Sequence, residues 1–185
     1  MGREFELKFK ATAKALDEIR ALWENWEEIS METTYFDTND GRLSAKHCTL
    51  RHRSENGISV CTMKTPTAGF GRGEWDMQEP WCAETAMKLF AAAGQEVIPF
   101  AELTAVCGAR FTRLAKTVEL PGCIVEIALD TGVLMGGGKE IPLCELEVEL
   151  KDGSREAADA FAAQLADIYG LEAETKSKFA RALAL

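Results

Sequence analysis

The 185-residue chain predicts an α+β fold: an antiparallel sheet of about eight strands, able to close into a barrel, with flanking helices. Three observations carry that expectation. Strand patterns come in runs with helices at the margins rather than as alternating βαβ units. Asn56-Gly57, between two alternating segments, marks a tight antiparallel hairpin. Strand after strand also places charged residues on one face and apolar residues on the other, the period of two that strand geometry imposes.

Glu4, Glu6, Lys8 and Lys10 share one face of the first strand, and Phe5, Leu7 and Phe9 the other. Thr12 is placed to cap a helix in which Leu16, Ile19, Leu22, Trp23 and Trp26 recur at helical spacing. A strand is expected over 31–37, a turn at Asn39-Asp40-Gly41, and paired strands over 48–53 and 58–64. Pro66 and three glycines make 65–73 a loop into a short strand over 74–78, and a helix follows over 83–93. Strands over 109–119, 124–134 and 140–151 are separated by Pro121-Gly122 and Gly136-Gly137-Gly138. Ser154 caps a helix with Ala157, Phe161, Leu165 and Ile168 on one face and Gly170 at its end, and a last helix is read over 174–184. Without a repeat, low-complexity tract or linker, residues 1–185 read as one domain.

Composition narrows the function. Apolar residues make up 46 % and charged residues 28 %, an ordinary globular mix. With 30 acidic against 21 basic residues and a formal charge of -9, a general nucleic-acid binder is disfavoured, because such proteins displace phosphate counterions with basic surfaces. Any anion site must be local and enclosed. The N-terminus has no apolar signal core and no run reaches membrane-spanning length, so no membrane partner and a cytoplasmic location are expected. The six cysteines form no CxxC pair and read as reduced structural thiols. His47 and His52 lack an HExxH context, and packing is the expected role of His52. Neither the triple glycine nor Gly69, Gly71 and Gly73 fits a phosphate-loop or dinucleotide fingerprint.

The charged face recurs. Arg51 and Arg53 share a face, as do Thr62 and Lys64; Arg72, Glu74 and Asp76; Glu126 and Asp130; and Glu145, Glu147 and Glu149, with Arg113 between Phe111 and Ala115. Pattern alone leaves open whether these faces are a solvated exterior or a lumen. The amphipathic helices need an apolar surface to cover, and the apolar strand faces supply it, which turns the charges inward. Enclosed like charges cost several kcal/mol each unless paired or bound to ions. Arg and Lys suit phosphate oxygens, and clustered carboxylates suit Mg²⁺ or Mn²⁺. Together they describe a polyphosphate with its metal.

The ordered segments Glu4-Phe5-Glu6-Leu7-Lys8, Tyr35-Phe36-Asp37-Thr38, Leu50-Arg51-His52-Arg53, Thr62-Met63-Lys64, Arg72-Gly73-Glu74, Phe111-Thr112-Arg113, Val125 to Gly132, Cys144 to Lys151 and Ser177 to Arg181 resemble the CYTH superfamily, the triphosphate tunnel metalloenzymes. The resemblance spans nearly the whole chain. It is closest to bacterial inorganic triphosphatases, with no helical CHAD segment expected here, and it implies an eight-stranded antiparallel tunnel. Asp76 departs from the pattern, which often has a second glutamate there. The resemblance implies that Lys8, Arg51, Arg53, Lys64, Arg72, Arg113 and Lys178 grip triphosphate, that Glu4, Glu6, Glu145 and Glu147 hold Mg²⁺ or Mn²⁺, and that Glu126, Asp130, Glu74 and Asp76 orient water or arginines. The catalytic set on this reading is Glu4, Glu6, Lys8, Glu126 and Asp130. The implied activity is hydrolysis of inorganic triphosphate to diphosphate and phosphate by a monomer or homodimer. Class IV adenylyl cyclase, thiamine triphosphatase and a non-catalytic polyphosphate-binding module are the alternatives.

Overall fold

The structure, a computed structural model, describes residues 5–66 and 72–185, and of Arg72 the backbone only. Glu4 and the Arg72 side chain therefore lie outside the described residues. The strands are β1 (Phe5–Lys10), β2 (Glu27–Asp37), β3 (Thr49–Glu55), β4 (Ile58–Pro66), β5 (Arg72–Met77), β6 (Thr104–Leu120), β7 (Cys123–Gly136), β8 (Lys139–Gly153) and β9 (Glu172–Ala173). The helices are α1 (Ala13–Arg20), α2 (Arg42–Ala45), α3 (Ala83–Ala92), α4 (Arg155–Tyr169) and α5 (Lys178–Leu183). All strands join one sheet in the order β5-β4-β3-β2-β6-β7-β8-β1-β9, with antiparallel neighbours throughout.

The expected closed eight-stranded barrel is not what forms: this is a nine-stranded sheet, and among the described residues no ladder joins β5 to the far edge. The reason lies in the free edge of β1. The short β9 pairs with Phe9 and Lys10, and Glu174 N donates to Lys8 O at 2.8 Å. Residues 172–174 thus take up backbone groups that a closing strand would use, which also blunts an exposed edge.

Local chemistry accounts for the elements. Asn56 and Gly57 have φ of 48° and 84°, the left-handed pair that a two-residue hairpin of matching twist requires, and Glu55 pairs with Ile58 across it. Ser154 Oγ accepts from Ala157 N at 3.3 Å at the start of α4, and Gly170 ends it at φ 62°. Ile168, expected on the buried stripe of α4, is 62 % exposed. Helix α1 stops at Arg20, short of the Trp23 and Trp26 its periodicity suggested, because Trp26 Nε1 donates to Arg20 O and Trp23 O at 3.0 and 2.9 Å. The indole satisfies carbonyls that a further helical turn would have used.

The apolar strand faces are covered as expected. One core joins Phe9, Val125, Ile127, Leu129, Leu146 and Val148 to Leu16 and Ile19 of α1 and Ala162 and Leu165 of α4. A second joins Leu50, Cys61 and Met63 to Leu89 and Phe90 of α3. The other face is not charged along its whole length. Met31, Tyr35, Ala109, Phe111, Leu134 and Leu143 form a third core with Ala182 of α5, so α5 packs against the same face that carries the charges. Its approach is close: a Cβ on Gly136 would lie 1.9 Å from Ala182 O. All six cysteines are free. Among the described residues no helix is long and apolar enough to cross a membrane.

Candidate functional site

Strand register sorts the inner face into rows. Across β6-β7-β8-β1, one row runs Arg113, Asp130, Glu145, Lys10; the next runs Ala115, Ala128, Glu147, Lys8; the third runs Thr117, Glu126, Glu149, Glu6. Two alanines in the middle row leave space beside Glu147. Toward the other edge, Tyr35 pairs with Arg51, Arg51 with Thr62 and Thr49 with Lys64, and Lys64 with Glu74. The concave face encloses a cavity of about 350 Å³ lined by Glu6, Lys8, Tyr35, Thr49, Arg51, Arg53, Lys64, Glu74, Arg113, Glu147, Glu149, Ser177, Lys178 and Phe179. Its described lining holds six cations against four carboxylates, in a chain whose formal charge is -9.

Beneath the cavity lies a densely ion-paired floor. Asp130 and Glu145 are fully buried, and Glu147 nearly so. Lys178 Nζ lies 2.8 Å from Asp130 Oδ2 and 2.5 Å from Glu147 Oε1, and also bonds Glu145 Oε1. Arg113 donates Nε and Nη2 to the two oxygens of Asp130 at 2.7 Å each and reaches Glu147 Oε2. Arg181 Nη2 bonds Glu145 Oε2. Burial works against the charge on Lys178, but Glu147, Asp130 and Glu145 outweigh it and raise its pKa. Burial likewise opposes ionisation of Glu147, yet Lys178 and Arg113 hold it well below the usual carboxylate range. Glu145 is pushed up to about 7 by burial, aided by the charge of Glu147.

The wall is different. Lys8 pairs with Glu6 at 3.1 Å, while Arg51 and Lys64 converge on the carboxylate of Glu74 at 3.4 and 2.9 Å. Arg53, only 8 % exposed, donates to Thr33 Oγ1 at 2.9 Å and to Glu55 Oε1 at 3.4 Å. Burial lowers its pKa, and the charges of Arg51 and Arg113 lower it further. Arg51 Nε is buried with no hydrogen-bond partner. Converging guanidiniums with an unsatisfied donor make an anion site in search of oxygens. Glu6 is pushed up by burial and by Glu147, with Lys8 pulling back.

The structure thus brings Glu6, Lys8, Arg51, Arg53, Lys64, Arg113, Glu147 and Lys178 together at one cavity. Glu145 and Asp130 stand below the lining, and Glu126 stands beside it, 3.3 Å from Lys151. Asp76 is held by Thr62 Oγ1 at 2.5 Å. Glu149, Tyr35, Thr49, Ser177 and Phe179 line the cavity although the sequence pattern assigned them no site role; Glu149 had a usable signal, since it shares a strand face with Glu145 and Glu147. His52 packs as expected, with Nε2 3.0 Å from Ser59 Oγ and its ring over Trp81.

The donor set suits a hard divalent cation. Among the described residues, Asp130, Glu145 and Glu147 bring ligand atoms within 4.8 Å of one another, but Lys178 Nζ is bonded to all three and fills the position a cation would take. The expected ligands Glu145 and Glu147 are thus both taken up by protein cations, Glu147 by Lys178 and Arg113; Glu6 and Glu149 instead line the open cavity, where a cation could be shared between a carboxylate and the oxygens of a bound phosphate.

An open antiparallel sheet flanked by helices, with a cation-rich cavity on its concave face, defines an α+β protein of this architecture. The chain belongs to the CYTH family, whose domain matches residues 2–183. It is 28 % identical over 137 residues to an inorganic triphosphatase of Haemophilus influenzae, covering 69 % of this chain and 38 % of that protein; the match thus spans well under half the length of that relative. Similar folds include a Pyrococcus horikoshii protein at 22 % identity and TM-score 0.64, covering 95 % of this chain and 96 % of that one. A Hippeastrum adenylyl cyclase candidate described as having a dominant triphosphatase activity aligns at 18 % identity and TM-score 0.65, covering 97 % and 94 %. A Bacillus halodurans adenylate cyclase candidate aligns at 20 % and 0.63, covering 98 % of each chain.

Proposed function

We propose that the protein hydrolyses inorganic triphosphate to diphosphate and phosphate with Mg²⁺ or Mn²⁺. The observation that carries this reading is the convergence of Lys8, Arg51, Arg53, Lys64, Arg113 and Lys178 on one enclosed cavity, a charge density suited to a compact polyphosphate. The family's triphosphatase relative supports the same reading. Among the described residues, the apolar lining is Tyr35 and Phe179, whose rings pack on each other at 5.1 Å and offer a base little free aromatic surface.

Arg51, Arg53 and Lys64, gathered on the cavity wall, bind the equatorial oxygens and orient the chain of phosphates. Arg113 and Lys178, fixed from below by Asp130 and Glu147, stabilise charge that develops on the leaving diphosphate without reorganising. Lys8 joins them from β1, with Arg72 as the expected addition from β5. Glu6 and Glu149, with Glu4 as the addition the sequence suggests, would hold the cation. A bound divalent cation supplies neutralisation of phosphate oxygens and a more acidic attacking water. Glu126, beside the lining, has the weakest claim to orient that water.

Phosphate release from triphosphate, ATP and thiamine triphosphate with each metal tests the proposal. Triphosphate is expected to give the highest kcat/KM; a better rate with ATP or thiamine triphosphate, or cyclic AMP formed from ATP, would overturn it. Binding without turnover in either metal would instead identify a polyphosphate-binding module.

A further inference from the structure

Arg181 does not line the cavity, yet it is bonded to the floor beneath it. Lys178 and Arg181 lie three residues apart in α5, so they share a helix face and meet the same carboxylate from two sides. Lys178 Nζ bonds Oε1 of Glu145 and Arg181 Nη2 bonds Oε2. A second guanidinium nitrogen, Nη1, lies 3.6 Å from Glu174 Oε2, the third, Nε, is buried with no hydrogen-bond partner, and Glu174 also accepts from Lys176 N at 2.8 Å and lies 4.0 Å from Lys10 Nζ. Glu145 is fully buried and Glu174 is 8 % exposed.

We propose that Arg181 is a positioning residue: by holding Oε2 of Glu145 it limits that carboxylate's claim on Lys178 and keeps the Lys178 ammonium aimed at the cavity. An unpaired oxygen on a buried carboxylate demands a partner, and Lys178 is the cation already within reach. Without Arg181, the ammonium shifts to take both oxygens of Glu145 and gives up Asp130. Glu145 is then a counter-charge for α5 rather than a ligand for a cation. The kinetic form of this inference rests on the triphosphate reading; its structural form does not.

The test is a double-mutant cycle on the full chain, comparing wild type, Arg181→Gln, Glu145→Gln and the double variant at a temperature where circular dichroism shows each folded. Arg181→Gln is expected to raise KM for triphosphate about tenfold with kcat changed less than about threefold, whereas adding it to Glu145→Gln should change KM less than about twofold. Equal increases in both backgrounds, or none in either, would overturn the proposal. If Arg181→Gln does not fold, Arg181→Lys, with one ammonium for two carboxylates, takes its place in the cycle under the same criteria. Crystal structures of the variants read the proposal without any substrate. The Lys178 to Asp130 contact, 2.8 Å here, should be lost on removing Arg181 and kept in the double variant, and its retention in the single variant would refute the mechanism. Absence of triphosphate turnover in the wild type would count against the activity alone, and the crystallographic result would still decide the role of Arg181.

Discussion

The floor and the wall of the cavity are built from the same residue types and behave as opposites. On the floor, Asp130, Glu145 and Glu147 meet Arg113, Lys178 and Arg181, and each carboxylate oxygen has a cationic donor. On the wall, Arg51 and Lys64 share Glu74, and each layer keeps one buried Nε without a hydrogen-bond partner, that of Arg51 here and that of Arg181 on the floor. Interlocked buried ion pairs fix geometry, and cations gathered at an open cavity are where a ligand's oxygens lower the energy. Charge density alone would not separate the two; the way the charges interlock does, three carboxylates among three cations on the floor against two cations meeting on Glu74 at the cavity wall.

The largest effect that could break this contrast is structural. Asp130→Ala strands Arg113 and Lys178 and should cost about 3–5 kcal/mol of stability in urea unfolding, and a loss below about 1 kcal/mol would mean the floor is not structural. Next, Glu6→Ala should lower kcat with triphosphate about 100-fold while calorimetry shows binding nearly intact; unchanged turnover would remove Glu6 from the proposed cation set. On the wall, Arg51→Ala should raise KM about tenfold or more, as expected for a charge-assisted contact, with little change in melting temperature. A variant that lost stability instead would make the wall resemble the floor.

The smallest effect comes from a carboxylate outside both layers. Asp37 accepts from Thr38 N, Leu43 N, Ser44 N and Ser44 Oγ, all at 2.7–2.9 Å. Burial opposes its charge, but these donors prevail and lower its pKa from 3.8. Its contribution is therefore present above pH 3.8 and lost as pH falls through the lower folded value. Asp37→Asn should cost about 1–2 kcal/mol near neutrality, and the gap to wild type should close on acidification below that pH. Urea midpoints taken from neutrality into that acid range would show it, and a gap independent of pH would reject the assignment.

Side-chain parity was legible in the sequence and depth was not. Alternation placed Lys8, Arg51, Lys64, Arg113 and Glu147 on one face because the strand period is two whatever the sheet does. Glu145, Glu147 and Glu149 share that parity, yet Glu145 faces the Asp130 row and Glu149 the Glu6 row. Which of the three meets the cavity depends on register with β1 and β7 and on the curl of the sheet, information spread over distant segments. The open edge was hidden for the same reason, since a two-residue strand such as β9 carries almost no periodic signal. Trp23 and Trp26 continued a helical pattern that side-chain hydrogen bonds to the backbone cut short.

Gly136 sets how deeply the Lys178 ammonium can dip. Its missing side chain lets the Ala182 carbonyl rest directly on β7, so the thickness of one methyl group separates a seated α5 from a raised one. Because a helix moves as a rigid lever, lifting one end displaces the other, and a substitution bearing no charge would detune an electrostatic site through leverage alone.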